Sequence, residues 1–501
     1  MKHSLDQLRQ RLRLTLWVSV ALLVSGPAGA QNLVLTPVLP ADVGKNPEAL
    51  TVGDFNTDGW QDIATVNSGS DDVTMLFGNG NGTFRSGISF GVGRSPMFLT
   101  SGEFNQDGKL DLIVAETGSD GILVLFGKGN GFFEPPVFYP SGKGPTFVSV
   151  GDVDGDGDAD VVATNSGRFG NYPPYSLSVM LNDGQGRLSA AKQYEVQDQH
   201  GLFPTGVSIA DLDGDGLPEL TVTWSQPSWR TPNGMVSVLK NQGQGDFVRS
   251  QDIEVGFTLS AVTQVDLDAD GHLDLIAASL FTDSLKVLLQ EAPGKYTKPA
   301  NLDVGFSPMS LAFHDLNADG NWDLIASNRA SNSASIFLGR GDGSFQSAGH
   351  FAVGATPTSV GVEDFNGDGL PDVVTTNGDS DDVSVLLSGK AMIPSINLST
   401  DAVQFASTVL SSDESEKLLT VSNVGLGALK IYDVVLEGPD SQSFSIQDGA
   451  CSGMTLATGN LCSLHIRFAG SESRPHHAQL TIWDNAPGGP RIVSLSGEVK
   501  G

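Results

Sequence analysis

An all-β fold, a seven-bladed β-propeller followed by an immunoglobulin-like β-sandwich, is predicted by three features of the chain. An acidic nine-residue loop of the form D-x-[D/N]-x-D-G-x-x-D is written seven times between Asp54 and Asp372. The copies begin 49, 49, 59, 55, 49 and 49 residues apart, and self-similarity at such a period marks a repeat architecture. Each loop runs into a short stretch rich in Val, Ile and Thr, such as DIATV, DVVAT or DVVTT, which reads as a strand. Four strands and their Gly-rich turns in about 49 residues suit one propeller blade.

The chain opens on a secretory signal over residues 1–30. Lys2, Arg9, Arg11 and Arg13 make its basic region, LTLWVSVALLV (14–24) its apolar stretch, and Ala28-Gly29-Ala30 its small-residue cleavage site. Export leaves a mature chain beginning at Gln31, either secreted or held in the cell envelope or periplasm. No later apolar stretch is long enough to span a bilayer as a helix. The formal net charge is −30, which argues against nucleic acid as a partner.

The propeller is assigned to residues 31–390. In each acidic loop, positions 1, 3, 5 and 9 offer side-chain oxygens and position 7 a main-chain carbonyl. Calcium takes six to eight oxygens in flexible geometry, so this pattern suits it. The first ligand set is Asp54, Asn56, Asp58, the carbonyl of Trp60 and Asp62. The second is Glu103, Asn105, Asp107, Lys109 (carbonyl) and Asp111, and the third Asp152, Asp154, Asp156, Asp158 (carbonyl) and Asp160. The fourth is Asp211, Asp213, Asp215, Leu217 (carbonyl) and Glu219, and the fifth Asp266, Asp268, Asp270, His272 (carbonyl) and Asp274. The sixth is Asp315, Asn317, Asp319, Asn321 (carbonyl) and Asp323, and the seventh Asp364, Asn366, Asp368, Leu370 (carbonyl) and Asp372. Up to seven Ca2+ ions, one per blade, are therefore expected. Glu103 and Glu219 are longer than Asp, so loops two and four are the weakest expected sites. An EF-hand is excluded, because position 12 is Thr65 or Ala163 where a bidentate Glu is needed.

Two further signatures recur. A V-G-x-x-P segment precedes the loop, as at 43–47, 92–96, 304–308 and 353–357; a turn such as LFGNGNGTF (76–84) follows the third strand. The last repeat stops at VSVLLSGK (383–390), and NLVLTPVLP (32–40) is expected to supply its fourth strand. That would close the ring and protect its edges. The two long repeats carry their extra residues after the second strand, at GRFGNYPPYS (167–176) and SQPSWRTPNG (225–234). Antiparallel order places these on the face opposite the acidic loops. Arg168, Phe169, Tyr172, Tyr175, Trp224, Trp229 and Arg230 are the candidate ligand-binding residues there, since aromatics and Arg anchor interfaces. The alternative is that these rings only pack the long loops.

The acidic loops and the Phe-Gly turns at Phe77-Gly78 and Phe126-Gly127 resemble the FG-GAP or VCBS repeats of integrin α-chain propellers and of many exported bacterial proteins. The resemblance covers residues 32–390 and implies calcium-binding loops within a seven-bladed propeller. The chain departs from integrins in having calcium-type loops in all seven repeats and no inserted adhesion domain, so an integrin-like ligand mechanism is not implied.

A linker is assigned to 391–396 and a β-sandwich to 397–501. KLLTVSNVG (417–425), SLHIRFAG (463–470), AQLTIWDNA (478–486) and RIVSLSGEV (491–499) alternate as half-buried strands. TVSNVGLGALKI and LTIWDNAPGGPRIVSLSG resemble choice-of-anchor and hydin-like domains. Cys451 and Cys462, the only cysteines, are expected to form a disulfide in an exported chain; two buried free thiols are the alternative. The resemblance places a cysteine pair at this point.

Function follows as a secreted, calcium-binding adhesion or binding module for an extracellular protein or glycan, without catalysis and with no catalytic residues assigned. A propeller-based polysaccharide lyase or hydrolase is the enzymatic alternative, because fold alone does not fix function. The eight histidines are scattered, and no G-x-S-x-G, H-E-x-x-H or phosphate loop occurs. A cell-envelope structural scaffold is the third reading.

Overall fold

Alternating apolar runs and Gly-rich turns dictate four-stranded antiparallel sheets, and the computed structural model contains them. It describes residues 33–167, 174–195, 202–225, 234–256, 258–390, 394–406, 408–409, 415–425, 427–447, 451–486 and 490–500. The segment expected to be a signal, 1–30, and much of the assigned linker lie outside these residues. The chain divides into two compact units that part between Gly389 and Lys390.

The first unit contains seven larger sheets among the described residues. The first sheet runs from an inner strand, Pro47–Gly53, through Asp62–Asn67 and Asp72–Gly78 to an outer strand, Phe84–Gly91. Five more sheets repeat this order. The last is built from Pro357–Glu363, Asp372–Asn377 and Asp382–Lys390, and its outer strand is Leu33–Pro37 from the other end of the unit. Val38 N–H donates to the Val385 carbonyl at 3.0 Å, next to this pairing.

Position within the sheet explains composition. Every second strand is buried along its whole length. It therefore reads as a nearly continuous apolar run rather than an alternation. The outer strands are largely exposed, as in Val137–Pro140 and Lys192–Glu195. Each fully buried Val, Leu or Ile contributes about 1.5–3 kcal/mol relative to exposure.

These side chains form clusters between neighbouring sheets. Val66 and Met75 of the first sheet pack with Leu99, Leu112 and Leu123 of the second. Ile325 and Ile336 of the sixth pack with Val373 and Leu386 of the seventh, and with Leu33 and Leu35. Ile63 and Leu76 of the first pack with Val374 and Val385 of the seventh. The inner strand of each sheet lies against that of the next, and the last lies against the first. The sheets thus close a ring with a propeller-like arrangement.

A polar latch joins the sheets on the face of the V-G-x-x-P turns. Asp71, in the turn between the second and third strands, accepts the N–H of Ser95 from the next sheet at 2.7 Å. Asp120 does the same for Gly144, Asp283 for Ser307, Asn332 for Thr356 and Asp381 for Asn46, at 2.8–2.9 Å. The main-chain carbonyl of each latch residue also accepts an N–H from the same partner turn. Both residues of a latch sit at positive φ, for example Asp381 at 55° and Asn46 at 52°, where Asn and Asp are favoured among non-glycines. In the third and fourth sheets the residues between the second and third strands include 168–173 and 226–233, which lie outside the described residues. The motif glycine permits close approach: a Cβ on Gly354 would lie 2.5 Å from Asn377 Nδ2.

The second unit has two sheets around one core. Ile396–Leu398, Ser415–Asn423, Leu461–Phe468 and Phe444–Gln447 form one sheet. The other contains Ala402–Gln404, Arg491–Lys500, Pro475–Asp484, Leu429–Glu437 and Thr455–Leu456, the first pair being parallel. Leu419, Val421 and Leu464 of one face Ile431, Leu480, Ile482 and Val493 of the other. Cys451 and Cys462 are joined as a disulfide. Among the described residues, no helix is long and apolar enough to cross a membrane.

The latch between the last and first sheets can be tested directly. Asp381→Ala removes the acceptor of the Asn46 amide and the partner of Lys45. A loss of about 1–2 kcal/mol is expected, read as a lower urea midpoint at unchanged m-value. An unaltered midpoint would show that the latch carries no stability.

Candidate metal sites

The acidic loop joins each inner strand to the second strand, and its ninth residue opens that buried strand. Asp62 is fully buried. One of its carboxylate oxygens accepts the Phe55 N–H of its own loop at 3.1 Å, and the other accepts the Gly78 N–H at the end of the third strand at 2.9 Å. Asp111, Asp160, Asp274, Asp323 and Asp372 make the same pair of bonds, at 2.7–3.0 Å. In loop four the longer Glu219 accepts the Leu212 N–H at 2.9 Å through one oxygen, while its Oε1 is buried without a hydrogen-bond partner.

The remaining loop residues fold around the first. Asp54 accepts the N–H groups of Asp58 and Gly59 at 3.1 and 2.8 Å. Asn56 accepts the Asp58 N–H at 2.8 Å, and Asp58 that of Trp60 at 3.0 Å. Glu103 makes the same contacts to Asp107 and Gly108. Gly59 has φ 88°, and the other six glycines at this position lie between 77° and 92°, which is why the loop requires glycine there. Position 4 is also left-handed, even where it is Thr57, Gln106, Ala269 or Ala318.

Three loops bring carboxylates within 4.8 Å of one another: Asp152, Asp154 and Asp160; Asp211, Asp213 and Glu219; and Asp266, Asp268 and Asp274. The other four carry Asn at position 3, a neutral oxygen donor. Asp213 Oδ1, Glu219 Oε1, Asp266 Oδ1 and Asp268 Oδ1 are buried without hydrogen-bond partners. Unpaired buried oxygens are costly, and an oxygen-binding cation would satisfy them. The donor set fits a hard divalent cation.

Burial is the main cause that pushes the ninth-position carboxyls of loops one, two, three and five up to about 6, with their loop carboxylates raising them further and backbone N–H donors opposing. Asp323 and Asp372 are pushed to about 7 for the same reason. Glu219 is also raised, chiefly by burial.

These loops are part of the seam between sheets. The carbonyl of the second loop residue accepts a donor from the next sheet: Phe55 from Gly131 N–H at 3.0 Å, Phe104 from Asn182 Nδ2 at 2.9 Å, and Phe365 from Gly82 N–H at 2.8 Å. Val153, Leu212 and Leu267 receive Asn241, Gln290 and Gly343 in the same way. The acidic loops therefore close one face of the ring and the latches the other.

The opposite face departs from the sequence expectation at Trp224. Predicted as a ligand contact, it is 2% exposed, and its indole N–H donates to Ser237 Oγ at 2.7 Å. It stands in the second strand where sibling sheets carry Asn67, Asn165 or Asn377, so its ring is core rather than loop. Tyr175 is half-buried, with its ring 5.9 Å from Phe203. Arg168, Phe169, Tyr172, Trp229 and Arg230 lie outside the described residues. Sequence reasoning overlooked Phe281 and Phe306, 52% and 63% exposed, in the two turns that the Asp283 latch joins. A cavity of about 510 Å³ runs along the inner strands, with Glu48, Met97, Thr146, Thr205, Met309 and Arg329 among its lining.

A family model described as an FG-GAP-like repeat matches residues 54–114, 103–163, 266–326 and 315–375. No curated protein matches the chain. Among solved structures, the crystal structure of BBS1N in complex with ARL6DN, soaked with lead, is similar at 9% identity and a TM-score of 0.50, covering 71% of this chain and 98% of that one. The mercury-soaked form matches at 10% identity with the same TM-score and coverage. A protein from Lactobacillus plantarum has 13% identity and a TM-score of 0.46, with 67% and 96% covered. The chain thus carries FG-GAP-like repeats on a propeller-like, all-β fold.

The raised carboxyls set a pH dependence for the cation-free protein. An Asp held at about 6 or 7 when folded, against 3.8 ordinarily, adds stability below pH 4 that is lost as pH rises through 6 to 7. In excess chelator, the urea midpoint is expected to fall between about pH 4 and 7. A midpoint rising across that window would contradict the assigned burial.

Proposed function

We propose that this chain, with its FG-GAP-like repeats on a propeller-like fold, is an exported, calcium-stabilised binding module without catalytic activity. In this reading the first unit is a seven-bladed propeller and the second an immunoglobulin-like sandwich. The observation that carries it is the placement of acidic loops in the seam between sheets, with carboxylate oxygens buried and unpartnered. A cation in such a loop relieves repulsion among its carboxylates, in a loop whose main-chain carbonyl already bonds the neighbouring sheet. Calcium is favoured over magnesium because the loops offer many protein oxygens in an irregular cage. Recognition of an extracellular protein or glycan is assigned to the face of the latches, where exposed Phe281 and Phe306 accompany the long loops.

Calcium should raise the thermal midpoint and a chelator lower it, each site adding about 2.7 kcal/mol at a hundredfold excess over its Kd. A midpoint indifferent to both would end the calcium reading. For recognition, Tyr172→Ala with Trp229→Ala is expected to abolish capture of ligands found by glycan array or pull-down from native envelope and medium. Undiminished capture would place recognition elsewhere.

A further inference from the structure

The third strands share one position just before the residue that docks on the ninth-position carboxyl or its loop. In six sheets it is apolar: Phe77, Phe126, Leu181, Leu289, Leu338 and Leu387. In the fourth it is Lys240. The register is secured by Asn241, whose side chain donates to the Val153 carbonyl as Asn182 does to Phe104.

The apolar residue has a partner in the next sheet. A Cβ on Gly131 would lie 2.2 Å from the Phe77 ring, one on Gly245 2.9 Å from Leu181, and one on Gly82 2.6 Å from Leu387. The side chain thus fills the space beneath the neighbouring Gly-rich turn. The fifth sheet replaces that turn by a small hairpin, Gln290–Ala292 with Lys295–Tyr296. A Cβ on its Gly294 would approach only Gln251. Lys240 turns instead into its own acidic loop, where its Nζ donates to Asp213 Oδ2 and, at 3.1 Å, to Asp215 Oδ2.

Those acceptors are loop positions 3 and 5. Other loops have basic neighbours, but these engage only position 5: Arg85 on Asp58 at 3.0 Å and Lys109 on Asp107 at 2.9 Å. Lys240 bridges two positions whose oxygens would converge on a metal.

We propose that Lys240 is the resident cation of the fourth loop, competing with divalent metal for the carboxylates of Asp213 and Asp215. The proposal rests on the reading that the acidic loops hold calcium. An ammonium within hydrogen-bonding distance of two ligand positions repels a divalent ion and occupies its oxygens. Loop four, already set apart by Glu219, is therefore the weakest calcium site. It also keeps part of its charge compensation when calcium is withdrawn, so the fourth sheet is the least calcium-dependent.

The test is calcium titration of the full chain by calorimetry, with terbium luminescence as a second probe. Lys240→Leu restores the residue found at Leu181 and Leu289. It should expose one additional site, or tighten the weakest site roughly tenfold or more. In chelator the same variant should have a lower thermal midpoint than the parent. Lys240→Met, which keeps an apolar stem of similar length, serves if the leucine variant does not fold. Equal stoichiometry and affinities in parent and variant, both binding calcium, overturn the proposal and leave the calcium reading standing. Calcium binding by neither protein overturns both.

Discussion

A buried carboxylate that accepts two main-chain N–H groups organises six of the seven repeats of the first unit, and Glu219, with one such bond, the fourth. Asp62 ties the amide of Phe55 in its own loop to that of Gly78 at the end of the third strand. This bond pair sets where the acidic loop begins and where the Gly-rich turn starts. It also presents the Phe55 carbonyl to the next sheet, where Gly131 donates to it. A charged group at full burial is expensive unless its hydrogen bonds are met. The two amides meet part of that cost, and the crowding of other carboxylates nearby raises the remainder. The cation proposed for these loops therefore acts on a structural group, not on an appendage.

The ring is held differently on its two faces. On the acidic face, six of the seven seams carry a loop carbonyl bonded to a donor of the next sheet, so charge in the loop bears on sheet-to-sheet contact. On the other face, Asp71, Asp120, Asp283, Asn332 and Asp381 latch onto left-handed turns without any need for metal. Between the faces, side chains of adjacent sheets interlock as continuous clusters. Stability is thus divided among apolar packing, a metal-independent latch and a charge-sensitive seam. Recognition residues on the latch face would be insulated from changes at the acidic face.

Sheet four shows how one repeat can differ while keeping the shared register. Trp224 replaces the buried Asn of four sibling sheets, Glu219 replaces Asp, and Lys240 replaces a Leu or Phe. Two of the changes, Glu219 and Lys240, meet at the acidic loop, whereas Trp224 lies towards the other end of the second strand. Trp224 brings its own donor to Ser237, and Arg249 lies over its ring at 5.5 Å. Lys240 loses its apolar niche because the fifth sheet has no Gly-rich turn to cover it, and finds its partners in the loop that Glu219 closes.

Read from residues alone, the chain already determined its repeat, its strands and its oxygen-donor loops, because each is a local pattern of spacing and side-chain type. The strand supplied by Leu33–Pro37 was legible too, since a short last repeat and a spare first strand complement each other. The latch was not legible: an Asp or Asn in the turn between the second and third strands looks like any turn residue until the next sheet brings an amide to it. Trp224 was misread as a surface ring because it borders a long loop in sequence, whereas strand register places it in the core. Lys240 was invisible for the same reason, being one basic residue in an apolar run. Only the tertiary structure decided these, because partners tens of residues away determine whether a side chain meets solvent, an apolar niche or a carboxylate.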